Sequence, residues 1–172
     1  MLRGISLCLI TLLVAVGSHS GHDDLRKVDT CGEQVSGLRS CISLDSHELG
    51  ARQKVLVHYK IQNVSDGEIV LWKSGFWPNN TIVVLNDRGE SVKLTKEGRR
   101  NLAAFSPGGD RNKNFPVRLK SNESTDMSTP DLRRLFVFAS PGNYTVRFIY
   151  EEYQDGGWQG KLTSNELRFR IK

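Results

Sequence analysis

Histidine side chains are the first residues to test for chemistry in this 172-residue chain, because imidazole binds metals and transfers protons near neutral pH. His47 and Glu48 begin like the zinc-protease motif H-E-x-x-H, whose two histidines reach one metal. Ala51 stands where the second histidine must be, so the motif is broken. His58 lies within an alternating run, and we interpret it as a cross-strand neighbour rather than a base.

Other catalytic patterns are also missing from the sequence. It contains no G-x-S-x-G nucleophile turn, no phosphate-binding glycine loop and no EF-hand spacing. Glu151 and Glu152 are adjacent, and neighbouring residues of a strand point to opposite faces, so this pair is poorly placed for acid–base cooperation. We therefore predict a protein that is not an enzyme and that uses no cofactor or metal.

Aromatic residues in two loops are the remaining candidates for a functional site. Phe76 and Trp77 occur in "WKSGFWPNN", and Tyr153 and Trp158 flank Asp155-Gly156-Gly157. Tyrosine and tryptophan are effective anchors of interfaces. If both loops lie at one end of the fold, these four side chains form a platform for a sugar or a peptide. The alternative, which we favour for Trp158, is that the tryptophan folds back over the end of the core as a lid.

The elements that must position these residues are β-strands, because apolar residues recur with a period of two from Leu38 onwards. Three runs each place apolar side chains on one face: Val55, Val57, Tyr59 and Ile61; Tyr144, Val146, Phe148 and Tyr150; and Leu167, Phe169 and Ile171. Turn signals rich in Gly, Asn and Asp separate the runs. We predict an all-β antiparallel sandwich of eight or nine short strands with one short helical turn.

Local motifs predict how these strands connect. "NVSDGE" predicts a hairpin turn that pairs "IVLWK" with the strand before it. "TIVVLNDRGESVKLT" predicts two strands hinged at 86–89, where Gly89 suits a left-handed turn position. "NLAAF" and "FPVRL" are predicted strands on either side of the loop "SPGGDRNKN". "STPDLRRLF" predicts a short helix that is capped by Ser128 or Thr129, and we expect no other run of helical length.

The first twenty residues have the charged, apolar and small-residue order of a secretory signal peptide. Their apolar run is shorter than the roughly 20 residues that a membrane-spanning helix needs. We predict a signal peptide over 1–20, a polar leader over 21–36 and one domain over 37–172. Cleavage would remove Cys8 and leave Cys31 and Cys41 in an oxidising compartment, so we expect these two to form a disulfide.

The chain is basic, with 24 Lys and Arg against 19 Asp and Glu. We interpret the excess as solvated loop charges, and a weak attraction to acidic polymers or lipid headgroups stays open. We predict a secreted or periplasmic protein that contacts a protein or polysaccharide partner at the cell envelope. It is expected to bind no nucleic acid and to have no stable membrane span after signal cleavage. Four glycosylation-type sequons, which suit surface turns, begin at Asn63, Asn79, Asn122 and Asn143.

The segment "SPGNYTV" resembles the tyrosine corner of immunoglobulin-like domains, in which a tyrosine hydroxyl binds backbone a few residues upstream. By this resemblance Tyr144 has that role, Val146 lies in the core, and Trp72 corresponds to the core tryptophan. The resemblance implies an immunoglobulin-like β-sandwich. The chain has no cysteines to bridge two sheets as in antibody domains, so the similarity is to the architecture.

Three turn motifs are also similar to those of the bacterial intracellular proteinase inhibitor family. They are N-x-S-D at Asn63–Asp66, the hairpin turn at Asn86–Gly89, and P-G-x-Y-x-V at Pro141–Val146. The similarity covers about residues 50–150. It implies inhibition of a proteinase through an exposed loop such as "SPGGDRNKN".

Taken together, these patterns predict an exported, non-catalytic binding or structural β-sandwich domain whose ligand is unknown. Its predicted contact residues are Phe76, Trp77, Tyr153 and Trp158. A proteinase inhibitor is the first alternative, and a carbohydrate-binding module is the second.

Overall fold

The structure is a computed structural model that describes residues 31–73, 79–104 and 115–172. Ten strands and two helices occur in these ranges: β1 Leu38–Ser43, β2 Glu48–Leu49, β3 His58–Asn63, β4 Ile69–Lys73, β5 Asn80–Asn86, α1 Lys96–Ala104, β6 Phe115–Leu119, β7 Ser124–Met127, α2 Leu132–Leu135, β8 Gly142–Glu152, β9 Gly160–Thr163 and β10 Leu167–Ile171. The predicted all-β class is confirmed, with ten strands in the described ranges instead of eight or nine.

The strands form three sheets. The first has the order β1-β3-β7 and is antiparallel. The second has the order β2-β10-β8-β5, and β9 also pairs with β8. Its one parallel pairing joins β2 to β10. The third sheet is the antiparallel pair β4-β6. The long strand β8 therefore organises the second sheet, because three other strands pair with it.

The first and second sheets share one hydrophobic core. The side chains of the three predicted apolar runs are buried, which confirms the predicted faces. Tyr59 of β3 meets Phe148 of β8 edge to face, with 5.0 Å between ring centroids. At the edge of β1, the Asn165 side chain accepts a hydrogen bond from Ile42 N at 2.8 Å and donates one to Ile42 O at 3.0 Å. This side chain joins the first sheet to the segment between β9 and β10.

The predicted hairpin between β3 and β4 is wrong. A strand has two hydrogen-bonding edges, and those of β3 are occupied by β1 and β7. β4 pairs with β6 instead. The turn after β3 is bound by Asn63, whose side-chain amide donates to Gly67 O at 2.7 Å and to Leu119 O at 2.9 Å. The turn therefore leads the chain out of the first sheet and towards β6.

The segment "NLAAF" was predicted as a strand, but residues 101–104 belong to helix α1. The Thr95 hydroxyl accepts a hydrogen bond from Gly98 N at 3.0 Å, which caps the first turn. Most residues of α1 are good helix formers, so the local propensity agrees with the structure. The neighbouring "SVKLT" is not a full strand either. It makes only isolated bridges, from Ser91 to Leu85 and from Leu94 to Phe136.

The short helix predicted in "STPDLRRLF" is confirmed as α2, with a different cap. Asp131 is the N-cap residue, and its carboxylate accepts from Arg133 N at 3.1 Å. Thr129 instead donates its hydroxyl to Val57 O at 2.6 Å. The two helices are joined by an ion pair of 2.7 Å between Arg134 and Glu97.

The Cys31–Cys41 disulfide is confirmed, with 4.3 Å between the two Cα atoms. Residues just after Cys31 pack on the domain although their composition resembles a leader. Gly32 N donates to Ser40 O at 2.8 Å, and a side chain at Gly32 would collide with the backbone of Thr163. The predicted signal peptide and residues 21–30 lie outside the described residues. Neither helix of the described ranges has the length and apolar composition needed to cross a bilayer.

A predicted tyrosine contact and a predicted glycine turn both occur near the first residues of β8. Tyr144 donates its hydroxyl to Ser140 O at 2.8 Å, which is the contact expected from the tyrosine corner. Its ring packs against Phe138 and Phe169. Gly89 has a φ of 75°, as predicted for the turn after β5. These contacts order the end of the molecule opposite Glu152, the last residue of β8.

Candidate functional site

Trp158 is a core residue in the structure. It is only 6% exposed, and its ring lies 6.0 Å from that of Tyr150. Its backbone N–H donates to Val70 O at 2.7 Å, and the indole Nε1 donates to Val35 O at 3.3 Å. This placement agrees with the lid interpretation, and Trp158 does not offer its ring face to a ligand.

The glycines beside Trp158 allow the same turn to contact β4. Trp72 of β4 is half-buried, and an added Cβ on Gly157 would lie 2.8 Å from Trp72 Nε1 and 2.9 Å from Val70 O. Gly156 has a φ of 84°, a left-handed backbone conformation that residues with a side chain rarely adopt. Glycine is therefore favoured at 156 by the backbone conformation and at 157 by the close approach to β4.

Tyr153 is the exposed aromatic residue of this hairpin. It is 59% exposed and follows directly after Glu152, which is 1% exposed. The Glu152 carboxylate accepts hydrogen bonds from Tyr153 N and Gln154 N, both at 2.8 Å. A buried acceptor thus binds the backbone on either side of Tyr153, and the turn presents its phenol ring to solvent from a fixed position.

Asn79 connects this turn to the start of β5. Its side-chain amide donates to the second carboxylate oxygen of Glu152 at 2.5 Å. Its backbone carbonyl accepts a hydrogen bond from Glu151 N at 2.8 Å. Phe76 and Trp77 lie outside the described residues, but Asn79 follows Trp77 by two positions in the sequence. Asn79, which follows the first predicted aromatic loop, is therefore bound to the end of β8, which leads into the second loop. We call this region, defined by Asn79, Glu152, Tyr153 and Gln154, the tyrosine turn.

The polar groups below the tyrosine turn are largely shielded from water. Tyr150 donates its hydroxyl to Trp72 O at 2.6 Å. Burial raises the pKa of the Tyr150 phenol well above its ordinary value, and the nearby Glu152 raises it further. The phenol therefore stays neutral, and its hydrogen bond holds β4 against β8.

Sequence analysis considered Glu152 and Asn79 only as a carboxylate neighbour and a sequon, and did not assign either to the aromatic site. The alternation of β8 contained a signal for Glu152, because it occupies the position after Tyr150 on the buried face. A carboxylate on that face needs hydrogen-bond donors. The donors come from the turn that follows and from Asn79, which is 73 residues earlier in the chain. The partner could not be read from local sequence.

His47 and His58, the two histidines within the described residues, make separate surface contacts. His58 lies 3.0 Å from the Asp45 carboxylate, and His47 Nδ1 lies 2.7 Å from Arg168 O. Within residues 31–73, 79–104 and 115–172, no three His, Cys, Asp or Glu side chains are grouped as a metal site would require.

The four sequons have unequal positions in the fold. Asn63 is fully buried and Asn79 is nearly so, and both use their side-chain amides internally. Asn122 and Asn143 are exposed. The expected surface position is thus confirmed for two of the four asparagines.

No protein-family model and no curated protein sequence matches the chain. The function proposed below is therefore argued from the contacts described above.

Proposed function

We propose that this protein is an exported, non-catalytic binding domain with an immunoglobulin-like sandwich architecture, and that the tyrosine turn contacts its partner. The observation that carries the proposal is an exposed phenol ring on a backbone held by a buried carboxylate. Fixing a large aromatic residue before binding lowers the entropy lost on association. Phe76 and Trp77, close to Asn79 in sequence, are proposed to belong to the same contact surface.

The class of partner follows from the chemistry of tyrosine. Its ring covers apolar or sugar surfaces, and its hydroxyl both donates and accepts hydrogen bonds. The partner we propose is a protein or a polysaccharide of the cell envelope.

Export is supported by the charged, apolar and small-residue order of 1–20 together with the disulfide. The immunoglobulin-like architecture is supported by the Tyr144 contact and by the core shared between two sheets.

Site-specific photocrosslinking tests the protein-partner form of this proposal. A photoreactive phenylalanine analogue replaces Tyr153 in the full chain, which is expressed in the cells that produce it. The matched control carries the same analogue at Val137, which is 45% exposed and lies near Gly142 at the other end of β8. We expect one defined adduct from position 153 and none from position 137. Equal labelling from both positions would count against a contact surface at the tyrosine turn.

The polysaccharide form is tested by affinity electrophoresis of the mature domain in gels that contain neutral polysaccharides such as cellulose derivatives, xylan or soluble chitin. A sugar partner should retard the wild-type protein. Tyr153→Ala should abolish the retardation, whereas Val137→Ala should not. If neither polysaccharides nor crosslinked proteins depend on Tyr153, the proposed surface is wrong.

A further inference from the structure

The outward face of β10 carries two arginines in a groove. Arg168 and Arg170 alternate with buried apolar residues, so their side chains leave the same face of the second sheet. In the β8 register, Arg168 is opposite Thr145 and Arg170 is opposite Asn143. These residues line a cavity of about 640 Å³ together with His47, Glu48, Glu166 and the turn that contains Asp87. We call this cavity the arginine groove.

Two of the three acidic residues that line the groove, Glu48 and Glu166, have cationic partners, and Asp87 on the facing turn contributes a third carboxylate. Glu48 is 2.6 Å from Lys172, and Glu166 is 3.7 Å from Arg147. The Lys172 hydrogen bond and charge lower the pKa of Glu48, with a smaller contribution from Arg170.

Arg168 and Arg170 differ in their surroundings, because Arg170 lies opposite Glu48 in the strand register and its charge acts on that carboxylate. Among the residues that the structure describes, neither guanidinium has an ion pair or a side-chain hydrogen bond. The groove therefore contains one guanidinium, Arg168, that is available to an external anion, and a second, Arg170, whose charge is shared with Glu48.

His47 adds a hydrogen-bonding group of defined orientation. Its Nδ1 is 2.7 Å from Arg168 O, and a carbonyl oxygen only accepts hydrogen bonds, so Nδ1 carries the proton. In the neutral ring, Nε2 is then an acceptor. Together with the Asp87 carboxylate on the facing turn, the groove offers acceptors for hydroxyl groups next to its two arginines.

We propose that the arginine groove binds a linear acidic polysaccharide, with Arg168 and Arg170 holding carboxylates of the polymer. Arginine forks bind carboxylates bidentately. The two Cα atoms are two strand residues apart, or about 6.7 Å, so a chain with repeated acidic groups can meet both side chains. The hydroxyl groups of the sugars match His47, Asp87 and Asn143. A concave groove suits a polymer chain better than the flat surface of a bilayer.

This site is distinct from the tyrosine turn, because Asn143 and Glu152 lie towards opposite ends of β8. Failure of one proposal therefore leaves the other intact, and Tyr153→Ala should not alter binding in the groove.

Isothermal titration of the mature domain with oligogalacturonate tests the proposal, with dextran as the uncharged control polymer. We expect binding that weakens as salt rises, and at least a tenfold loss in Arg168→Gln/Arg170→Gln. The charge-matched control is Arg118→Gln/Lys120→Gln, which removes two exposed cations from the β6 region and should retain wild-type affinity. Arg168→Lys/Arg170→Lys keeps the charge but removes the forks, and should bind several-fold more weakly than wild type even if the glutamine variant fails to fold.

Three results would overturn the proposal. The first is no binding of oligogalacturonate by the wild-type protein. The second is an equal loss in the two charge-matched double variants, which would indicate attraction to net charge alone. The third is arginine-dependent binding to phosphatidylglycerol vesicles with no binding to the polymer, which would assign the groove to a membrane surface.

Discussion

Replacing Asn63 by alanine is the strongest single test of how this fold is held together. The side chain is fully buried and makes five hydrogen bonds. Its amide nitrogen donates to Gly67 O, Leu119 O and Lys120 O, and its oxygen accepts from the backbone N–H and the hydroxyl of Ser65. One side chain thereby joins the turn after β3 to the end of β6.

The expected loss follows from what alanine would leave unpaired. Leu119 O lies in the interior, and a buried acceptor without a donor costs about 1–3 kcal/mol. The contacts to Gly67 and Lys120 are partly buried, so water replaces part of what is lost there. We expect Asn63→Ala to lower the free energy of unfolding by about 3 kcal/mol. For a domain of this size, that loss corresponds to a decrease in Tm of about 6–12 °C.

Urea and thermal denaturation of the protein measure this change. Asn143→Ala is the matched control, because Asn143 also begins a sequon but is exposed; its Tm should stay within about 2 °C of wild type. Asn63→Asp keeps the volume and one acceptor oxygen but loses the amide donors, so it should destabilise at least as much as alanine at neutral pH. A loss below about 1 kcal/mol in both Asn63 variants would show that this hydrogen-bond network does not hold the sheets together.

Two further predictions concern the region below the tyrosine turn. Burial raises the folded-state pKa of Tyr150 above the value of 10.0 for a free phenol, so stability should be constant just below pH 10 and fall as the pH rises beyond it. Tyr150→Phe should reduce the slope of unfolding free energy between pH 10 and 11 by up to about 1.4 kcal/mol per pH unit, and an unchanged slope would argue against a buried neutral phenol. Gly157→Ala should lower the unfolding free energy by about 1–3 kcal/mol, since its Cβ meets the Val70 backbone. The control Gly67→Ala has open space around the new methyl group and should be close to neutral, so similar losses in both variants would contradict the packing argument.

Local patterns predicted the strands with the strongest alternation. β8 and β10 alternate without interruption, and the apolar faces follow directly because successive strand residues point to opposite sides. Cys31 and Cys41 were predicted to pair because they are the two cysteines that would remain after the predicted cleavage of residues 1–20. The left-handed turn conformation of Gly89 was predicted because few other residues adopt a positive φ.

Predictions failed for two different reasons, an occupied strand edge and an overlooked local helix cap. β4 has the composition of a hairpin partner for β3, but β1 and β7 fill both edges of that strand. Leu102 and Ala103 suit a helix, and the Thr95 cap that begins α1 was overlooked because the segment was interpreted by its short apolar run.

The candidate sites show the same division. Alternation along β10 already placed Arg168 and Arg170 on one face, but acidic residues beside them come from β2 and the β9–β10 connection. Only the assembled sheet determines which cations are paired and which face a groove. Trp158 and Tyr153 are both aromatic residues of one hairpin, and packing against Val35 and Val70 buries only the first.

The sequence by itself determined the strand periods, the turn residues, the disulfide pair and the basic face of β10, because each is a matter of neighbouring positions or of composition. The tertiary structure decided strand order, burial and hydrogen-bond partners. Asn63 and Asn143 begin the same kind of triplet, yet one is an interior hydrogen-bond centre and the other is a surface residue. The difference arises because the carbonyl groups that bind Asn63 belong to residues 56 and 57 positions away, which only the folded chain brings together.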